Sequence, residues 1–323
     1  MVAKRAKDLP QVRSERSIEH PVVATGPVPK SSPAELLRAL RPRQWVKNVL
    51  VFMAPAAAGV LGHGGILLRG LACFGIFCLM ASATYLVNDL IDADADRLHP
   101  KKRNRPIAAG TVTARTAVTA AVVLFAIGLG ASWWLAGWQL LLTLGIYAVI
   151  NINYCLWLKR IPVVELASVA AGFVLRAVAG GVATHVPLSD WFLIVTSFGA
   201  LFIVTGKRTA EIQELGGDAT EHRAVLSEYT SSFLKSTLTV TASVTVTAYC
   251  LWAFERGHTG NANGHHVVLF ELTIAPVIIG VLHVLRLIDA GKGGAPEELV
   301  LGDHVLQVIG IVWIALLAAG VYA

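Results

Sequence analysis

Nine apolar segments, each close to the roughly 20 residues a helix needs to cross a bilayer, divide the chain from about residue 45 to its end. Their limits read 45–62, 66–88, 113–135, 138–157, 163–184, 188–206, 233–254, 267–288 and 303–322. A backbone surrounded by lipid must satisfy its own hydrogen bonds, so these segments predict an all-α integral membrane protein of nine transmembrane helices. The 323 residues are 55% hydrophobic and only 15% charged, which excludes a soluble enzyme. Residues 1–35 are polar and rich in Pro, Ser and charge, with no apolar run of the kind a signal peptide needs. They are expected to form a disordered cytoplasmic tail ahead of a membrane domain over 36–323.

The basic residues set the orientation. With the loops assigned alternately to the two sides, all but three of the 27 Lys and Arg fall on the side of the tail. Arg69 and Arg256 lie on the other side, and Arg176 lies within a helix. Cytoplasmic loops carry the Lys/Arg excess, so the N-terminus is expected inside and, after nine crossings, the C-terminus outside. The expected location is the plasma membrane, multi-pass, with the chemistry facing the cytoplasm. Because the net charge of +6 belongs to a membrane face, the case for a nucleic-acid partner falls away. Cys73, Cys78, Cys155 and Cys250 lie in or beside apolar stretches without a C-x-x-C pair, so neither a disulfide scaffold nor a thiolate metal site is indicated. The ten histidines form no H-E-x-x-H pattern, and no Walker A, G-x-G-x-x-G or G-x-S-x-G sequence occurs.

Chemistry concentrates at the cytoplasmic end of the second segment, in Asn88-Asp89-Leu90-Ile91-Asp92-Ala93-Asp94-Ala95-Asp96. If the helix continues at about 100° per residue, Asn88, Asp92, Asp96 and Asp89 share one face, Tyr85 joins it from the preceding turn, and Asp94 points away. Carboxylates crowded in this way repel one another unless a cation neutralises them. Hard oxygen donors select Mg²⁺, which is commonly shared with substrate phosphates. Arg97 and the run Lys101-Lys102-Arg103-Asn104-Arg105-Pro106 follow directly and suit a ligand carrying several phosphates, beyond the anchoring role of any inside loop.

Other candidates are spread along the chain. In Arg41-Pro42-Arg43-Gln44-Trp45-Val46-Lys47-Asn48, an interfacial anchoring role suffices for Arg41 and Trp45, whereas Lys47 and Asn48 lie inside the apolar segment and need polar partners. Tyr154 and Lys159 close the fourth segment, and Arg176 in the fifth should face a polar cavity or an interhelical ion pair. Glu165 stands about three turns from Arg176, so the two do not simply pair. Lys207 and Arg208 end the sixth segment, where Lys207 and Glu211 have the spacing of a helix-end salt bridge.

The N-D-x-x-D-x-x-x-D pattern at 88–96 in a nine-helix chain resembles the UbiA-type prenyltransferase superfamily. Residues 41–48, 88–110, 158–165 and 206–208 look like its branch that acts on polyprenyl phosphates. The resemblance implies a UbiA-type bundle that transfers 5-phosphoribosyl from 5-phosphoribosyl diphosphate to decaprenyl phosphate. The products would be decaprenylphosphoryl-5-phosphoribose, a precursor of cell-wall arabinan, and pyrophosphate. It implies Mg²⁺ held by Asn88 and Asp92 with Asp89 and Asp96 in support, the three aspartates being the catalytic candidates. Lys47, Tyr85, Lys102, Lys159 and Arg176 are matched to phosphate-bearing substrates, and Asn48, Arg103, Tyr154, Lys207 and Arg208 complete the expected substrate-binding set. Superfamily members acting on aromatic acceptors carry a second Asp-rich motif where this chain has Gly206-Lys207-Arg208-Thr209-Ala210-Glu211, a basic patch suited to an acceptor that is itself a phosphate. An aromatic-acceptor prenyltransferase using an isoprenoid diphosphate, or a cation-coupled transporter with acids along an ion path, remain the alternatives. The sequence leaves homo-oligomerisation open.

Overall fold

A computed structural model describes residues 32–215, 224–258, 264–292, 299 and 302–322. Residues 1–31 of the expected tail lie outside the described residues. Ser32 caps helix α1, Pro33–Ala39, by accepting a hydrogen bond from the Glu35 amide, so the expected boundary at residue 35 falls inside a helix.

The first apolar segment is not the single α-helix expected over 45–62. It begins as a 3₁₀-helix, Pro42–Phe52, and passes into a short α2, Met53–Ala57. In a 3₁₀-helix residues three apart eclipse. Trp45, Asn48, Val51 and Ala54 therefore make one row, in which the last three are buried and the Trp45 indole donates to Ser82 Oγ at 3.1 Å. Val46 and Val49 face outward. Arg41, just before Pro42, turns the chain into this helix in the left-handed region at φ 54.

The described secondary structure is all helical. After α2 come α3 Gly64–Ile91, α4 Ala93–Leu98, α5 Ala114–Leu156, α6 Val164–Thr184, α7 Asp190–Leu215, α8 Ser231–His258, α9 Gly264–Leu272, α10 Ile274–Asp289 and α11 His304–Tyr322. Among the described residues seven stretches are long and apolar enough to cross a membrane: α3, α5, α6, α7, α8, the α9–α10 pair and α11.

α5, with 43 residues, would measure about 64 Å if straight, twice a bilayer core. It breaks at Ala136 and Gly137, where Gly137 takes φ 67, in the gap between the expected segments 113–135 and 138–157. Ala117 and Ala121 pack beside Leu86 near the end of α3, Arg69 near its start donates to Leu135 O, and Tyr147 then meets Phe77 edge-on at 5.2 Å. The two halves thus run down and back up α3 as a hairpin. Exposed Trp133, Trp134 and Trp138 surround its turn, as aromatic side chains do at a membrane interface.

Phe77, Met80, Leu140, Leu144 and Tyr147 form the core between α3 and α5. α6 closes on the 3₁₀-helix at Gly180, where a Cβ would stand 1.8 Å from Val51 O. At the other end of the bundle, Trp313 Nε1 donates to Tyr249 Oη at 2.6 Å and Tyr249 Oη donates to Thr273 Oγ1 at 2.8 Å, joining α11, α8 and the α9–α10 break.

Candidate active site

Three carboxylates and three cations interleave where α3 ends. Asp89, buried, accepts from Arg41 Nη2 at 2.5 Å and from Arg105 Nη1 at 3.2 Å. Arg105 Nη1 also reaches Asp96 Oδ2 at 2.6 Å, and Lys159 Nζ donates to Asp92 Oδ1 at 2.5 Å. Each acid that leaves water therefore meets a basic partner, as a buried charge requires. Four separate stretches supply these six groups: the entry to the 3₁₀-helix, the α3–α4 junction, the loop before α5 and the 3₁₀ turn Leu158–Arg160.

The helix does not run on through residue 96 as the face argument assumed. It stops at Asp92, which has φ −90 and ψ 3, and α4 begins at Ala93. Continued, α3 would have carried Asp94 and Asp96 at its negative C-terminal end; the restart places both in the first turn of α4, where the helix dipole favours acids. Asp89 and Asp96 consequently face inward, while Asp92, about 30% exposed, stands at the rim with the half-buried Asn88. Asp94 is exposed and pairs with Arg97, away from the cluster as expected.

The remaining predicted residues divide. Tyr85 lies under Arg41, whose guanidinium sits 5.1 Å from the ring centroid. Lys47 and Lys102 are half-buried, on the 3₁₀-helix and on the loop that carries Arg105. Arg103 is exposed and, among the described residues, joins no ion pair. Asn48 and Arg176 form a separate buried knot: Arg176 Nε donates to Asn48 Oδ1 at 2.8 Å, Nη1 to Gly172 O at 2.5 Å and Nη2 to Tyr147 Oη at 3.1 Å. The guanidinium also faces Phe77, Tyr147 and Phe173, while Asn48 Nδ2 donates to Cys78 Sγ. Phe77 is three turns before Asp89, about 18 Å along the helix, so the fold does not bring Arg176 to the acids.

Arg208, expected at the substrate, is buried and engaged by glutamates. Its Nε and Nη2 hold Glu165 at 2.8 and 2.9 Å, and Nη1 holds Glu211 at 2.6 Å. Arg208 pairs with Glu211, the acid spaced for Lys207 in the sequence, and Lys207 is half-buried beside it. Tyr154 lies within electrostatic reach of Arg208. Tyr229 Oη accepts from the Val163 amide at 2.8 Å and lies 3.5 Å from Glu165 Oε1. Burial pushes the Tyr229 phenol above its ordinary range, so it stays protonated at neutral pH. Val163 itself sits at φ 66, a region that costs a β-branched residue about 1–3 kcal/mol.

Arg41, Arg105 and Tyr229 are the members that sequence reasoning passed over. Arg41 was explained by lipid anchoring and Arg105 was one of a run; their signal is the need of a buried Asp89 for cations, visible only once its burial is known. Among the described residues no three His, Cys, Asp or Glu side chains are gathered as a metal cage. Mg²⁺ rarely requires one, since it binds through one or two carboxylates together with water and substrate phosphates. The oxygen donors Asn88 and Asp92 at the rim, backed by Asp89 and Asp96, fit that habit. Two open cavities, about 280 Å³ beside Trp252 and Arg256 and about 310 Å³ between α5, α6 and α7, lie apart from the acids.

The chain is similar to decaprenyl-phosphate phosphoribosyltransferase of Mycobacterium tuberculosis, 43% identical over 306 residues that cover 93% of this chain and 98% of that one. The protein of the same name from Mycolicibacterium smegmatis is 40% identical over 301 residues, covering 91% and 94%. Among solved structures, a UbiA homolog from Archaeoglobus fulgidus bound to GPP and Mg²⁺ matches with a TM-score of 0.64 at 19% identity, over 90% of this chain and all of that one, a likeness of fold. The model of the UbiA prenyltransferase family matches residues 48–301, well over half of the sequence, and the chain belongs to that family.

Proposed function

We propose that this protein transfers the 5-phosphoribosyl group of 5-phosphoribosyl diphosphate to decaprenyl phosphate, for cell-wall arabinan synthesis. The interleaving of Asp89, Asp92 and Asp96 with Arg41, Arg105 and Lys159 carries this reading: one end of the bundle offers both oxygen donors for a divalent ion and cations for phosphates. The names of its relatives at 40–43% identity support the same reaction. The topology that goes with it is nine crossings, with the hairpin of α5 counted as two and the 3₁₀-helix and α2 as one. The N-terminus and the site lie on the cytoplasmic side of the plasma membrane, and the chain from α1 onward forms the membrane domain.

Asn88 and Asp92, supported by Asp89 and Asp96, are the residues that would hold Mg²⁺, which supplies charge neutralisation for a departing diphosphate. Lys159, Lys102 and Lys47 bind phosphate oxygens, Tyr85 fixes the Arg41 guanidinium beside Asp89, and Arg103 and Lys207 add positive potential that draws anions to the rim. Asn48 with Arg176, and Tyr154 with Arg208, act by holding the helices that carry these groups. At the ribose the anomeric C–O bond to diphosphate breaks and a C–O bond to the lipid phosphate forms on the opposite face, so inversion is expected. The attacking phosphate is already anionic, so no side chain need act as a base. Lys and Arg lower the barrier by holding two anions together against their repulsion. The test is transfer from labelled 5-phosphoribosyl diphosphate to decaprenyl phosphate by purified protein, with Mg²⁺ or with EDTA. Labelled lipid that depends on both metal and acceptor is expected; transfer of an isoprenoid from its diphosphate instead overturns the reading.

A further inference from the structure

The segment between Lys159 and α6 has no slack. Arg160 N donates to Trp157 O, Ile161 N to Leu158 O, and Glu165 N to Ile161 O, so every turn from residue 157 to 165 is hydrogen-bonded. Its weak point is Val163, with φ 66, ψ −46 and the Val164 amide bonded to Pro162 O at 2.7 Å. That is a γ-turn of the rare positive-φ kind, on a β-branched side chain that disfavours it. Backbone bonds on either side span it, and among the described residues the group from outside the segment that bonds Val163 is Tyr229 Oη, which accepts the Val163 N–H at 2.8 Å and is itself braced against Glu165, locked in turn by Arg208.

We infer that Tyr229 is a positioning residue: its hydroxyl holds the strained turn at Val163 and thereby sets the reach of Lys159 to Asp92. Tyr229 lies in the segment before α8, 66 positions from Val163, and its hydroxyl bonds Val163 and Glu165 rather than Lys159 or Asp92, so its effect is indirect. Without the hydroxyl the valine relaxes toward negative φ, and Lys159, four residues away on the same rigid path, moves off the acids. The inference rests on the reading of Lys159 as a phosphate ligand.

The experiment compares wild type, Tyr229→Phe, Lys159→Ala, Tyr229→Phe/Val163→Gly and Tyr229→Phe/Lys159→Ala in the phosphoribosyl-transfer assay, with hydrogen exchange of residues 157–164 measured in parallel. Tyr229→Phe is expected to raise KM for 5-phosphoribosyl diphosphate about tenfold, the size of one displaced ionic hydrogen bond, with kcat within about threefold. Glycine takes positive φ freely, so Val163→Gly should restore most of that loss. Tyr229→Phe should add little to the loss in Lys159→Ala, because the two act through one contact. An unchanged KM, a loss that glycine does not restore, or full additivity with Lys159→Ala overturns the proposal and leaves Tyr229 a fold residue. If wild type itself transfers no phosphoribosyl, the functional reading fails instead. Exchange then still decides the turn: faster exchange of 157–164 in Tyr229→Phe upholds the hold on Val163, and equal exchange refutes it.

Discussion

Asp92 and Asp89 belong to one sequence motif but stand in different surroundings, and their substitutions should separate. Asp92 is at the rim, about 30% exposed and paired with Lys159, so Asp92→Ala should abolish metal-dependent turnover while the protein stays folded. Turnover that survives removes Asp92 from the metal. Asp89 is almost fully buried and holds two guanidinium groups, so Asp89→Ala strands Arg41 and leaves Arg105 with Asp96 alone. Those arginines are about a quarter exposed, which puts the destabilisation near the low end of the 3–5 kcal/mol usual for a broken buried pair, about 3 kcal/mol. A thermal melt in detergent distinguishes the two variants. Arg176→Ala removes three hydrogen bonds and a contact with three rings, and should lower the melting temperature with little change in KM. A raised KM at an unchanged melting temperature would return Arg176 to the phosphate role its sequence position suggested. Residue types were legible because carboxylates and cations at membrane helix ends need one another. The pairings were not, since Arg41 meets Asp89 across 48 positions and Glu165 meets Arg208 across 43.

At the scale of elements, apolar length located nearly every helix, and the gap between segments 113–135 and 138–157 fell at the turn of α5. Two features escaped. A period of 3.0 cannot be told from 3.6 over eleven residues, so the 3₁₀-helix looked like an α-helix until Asn48 and Val51 were seen to share a buried row. The break at Asp92 escaped because extending a helix through four acids ignores the field at its C-terminus. The 3₁₀ backbone also fits α6 so closely that Gly180→Ala, whose methyl would meet a peptide carbonyl, should destabilise by about 1–3 kcal/mol in a melt. Tyr249→Phe removes the hydroxyl that links Trp313 and Thr273, and should cost about 0.6–2 kcal/mol, within the range measured for interhelical hydrogen bonds in membranes. No change in either melt would mean that these contacts add nothing to the bundle.

For the molecule as a whole, the three acids that gather at the site are balanced by three cations before any ligand arrives. The bundle therefore needs no metal to fold, and EDTA is expected to stop turnover while shifting the melting temperature little; collapse on chelation would show a structural ion. The same balance makes the two ligands thermodynamically linked. When a divalent ion claims Asp92, Lys159 loses its carboxylate and becomes available to an anion, and an anion that claims Lys159 leaves Asp92 open to the ion. By reciprocity each should tighten the other by the same factor, so titrating donor with and without Mg²⁺, and Mg²⁺ with and without donor, should return one coupling energy. Lys159→Ala removes the exchange and should shrink that coupling from both sides at once. A site assembled in this way favours the pair: a phosphate or a metal ion that arrives alone must break the Lys159–Asp92 bond and leave one side of it without a replacement.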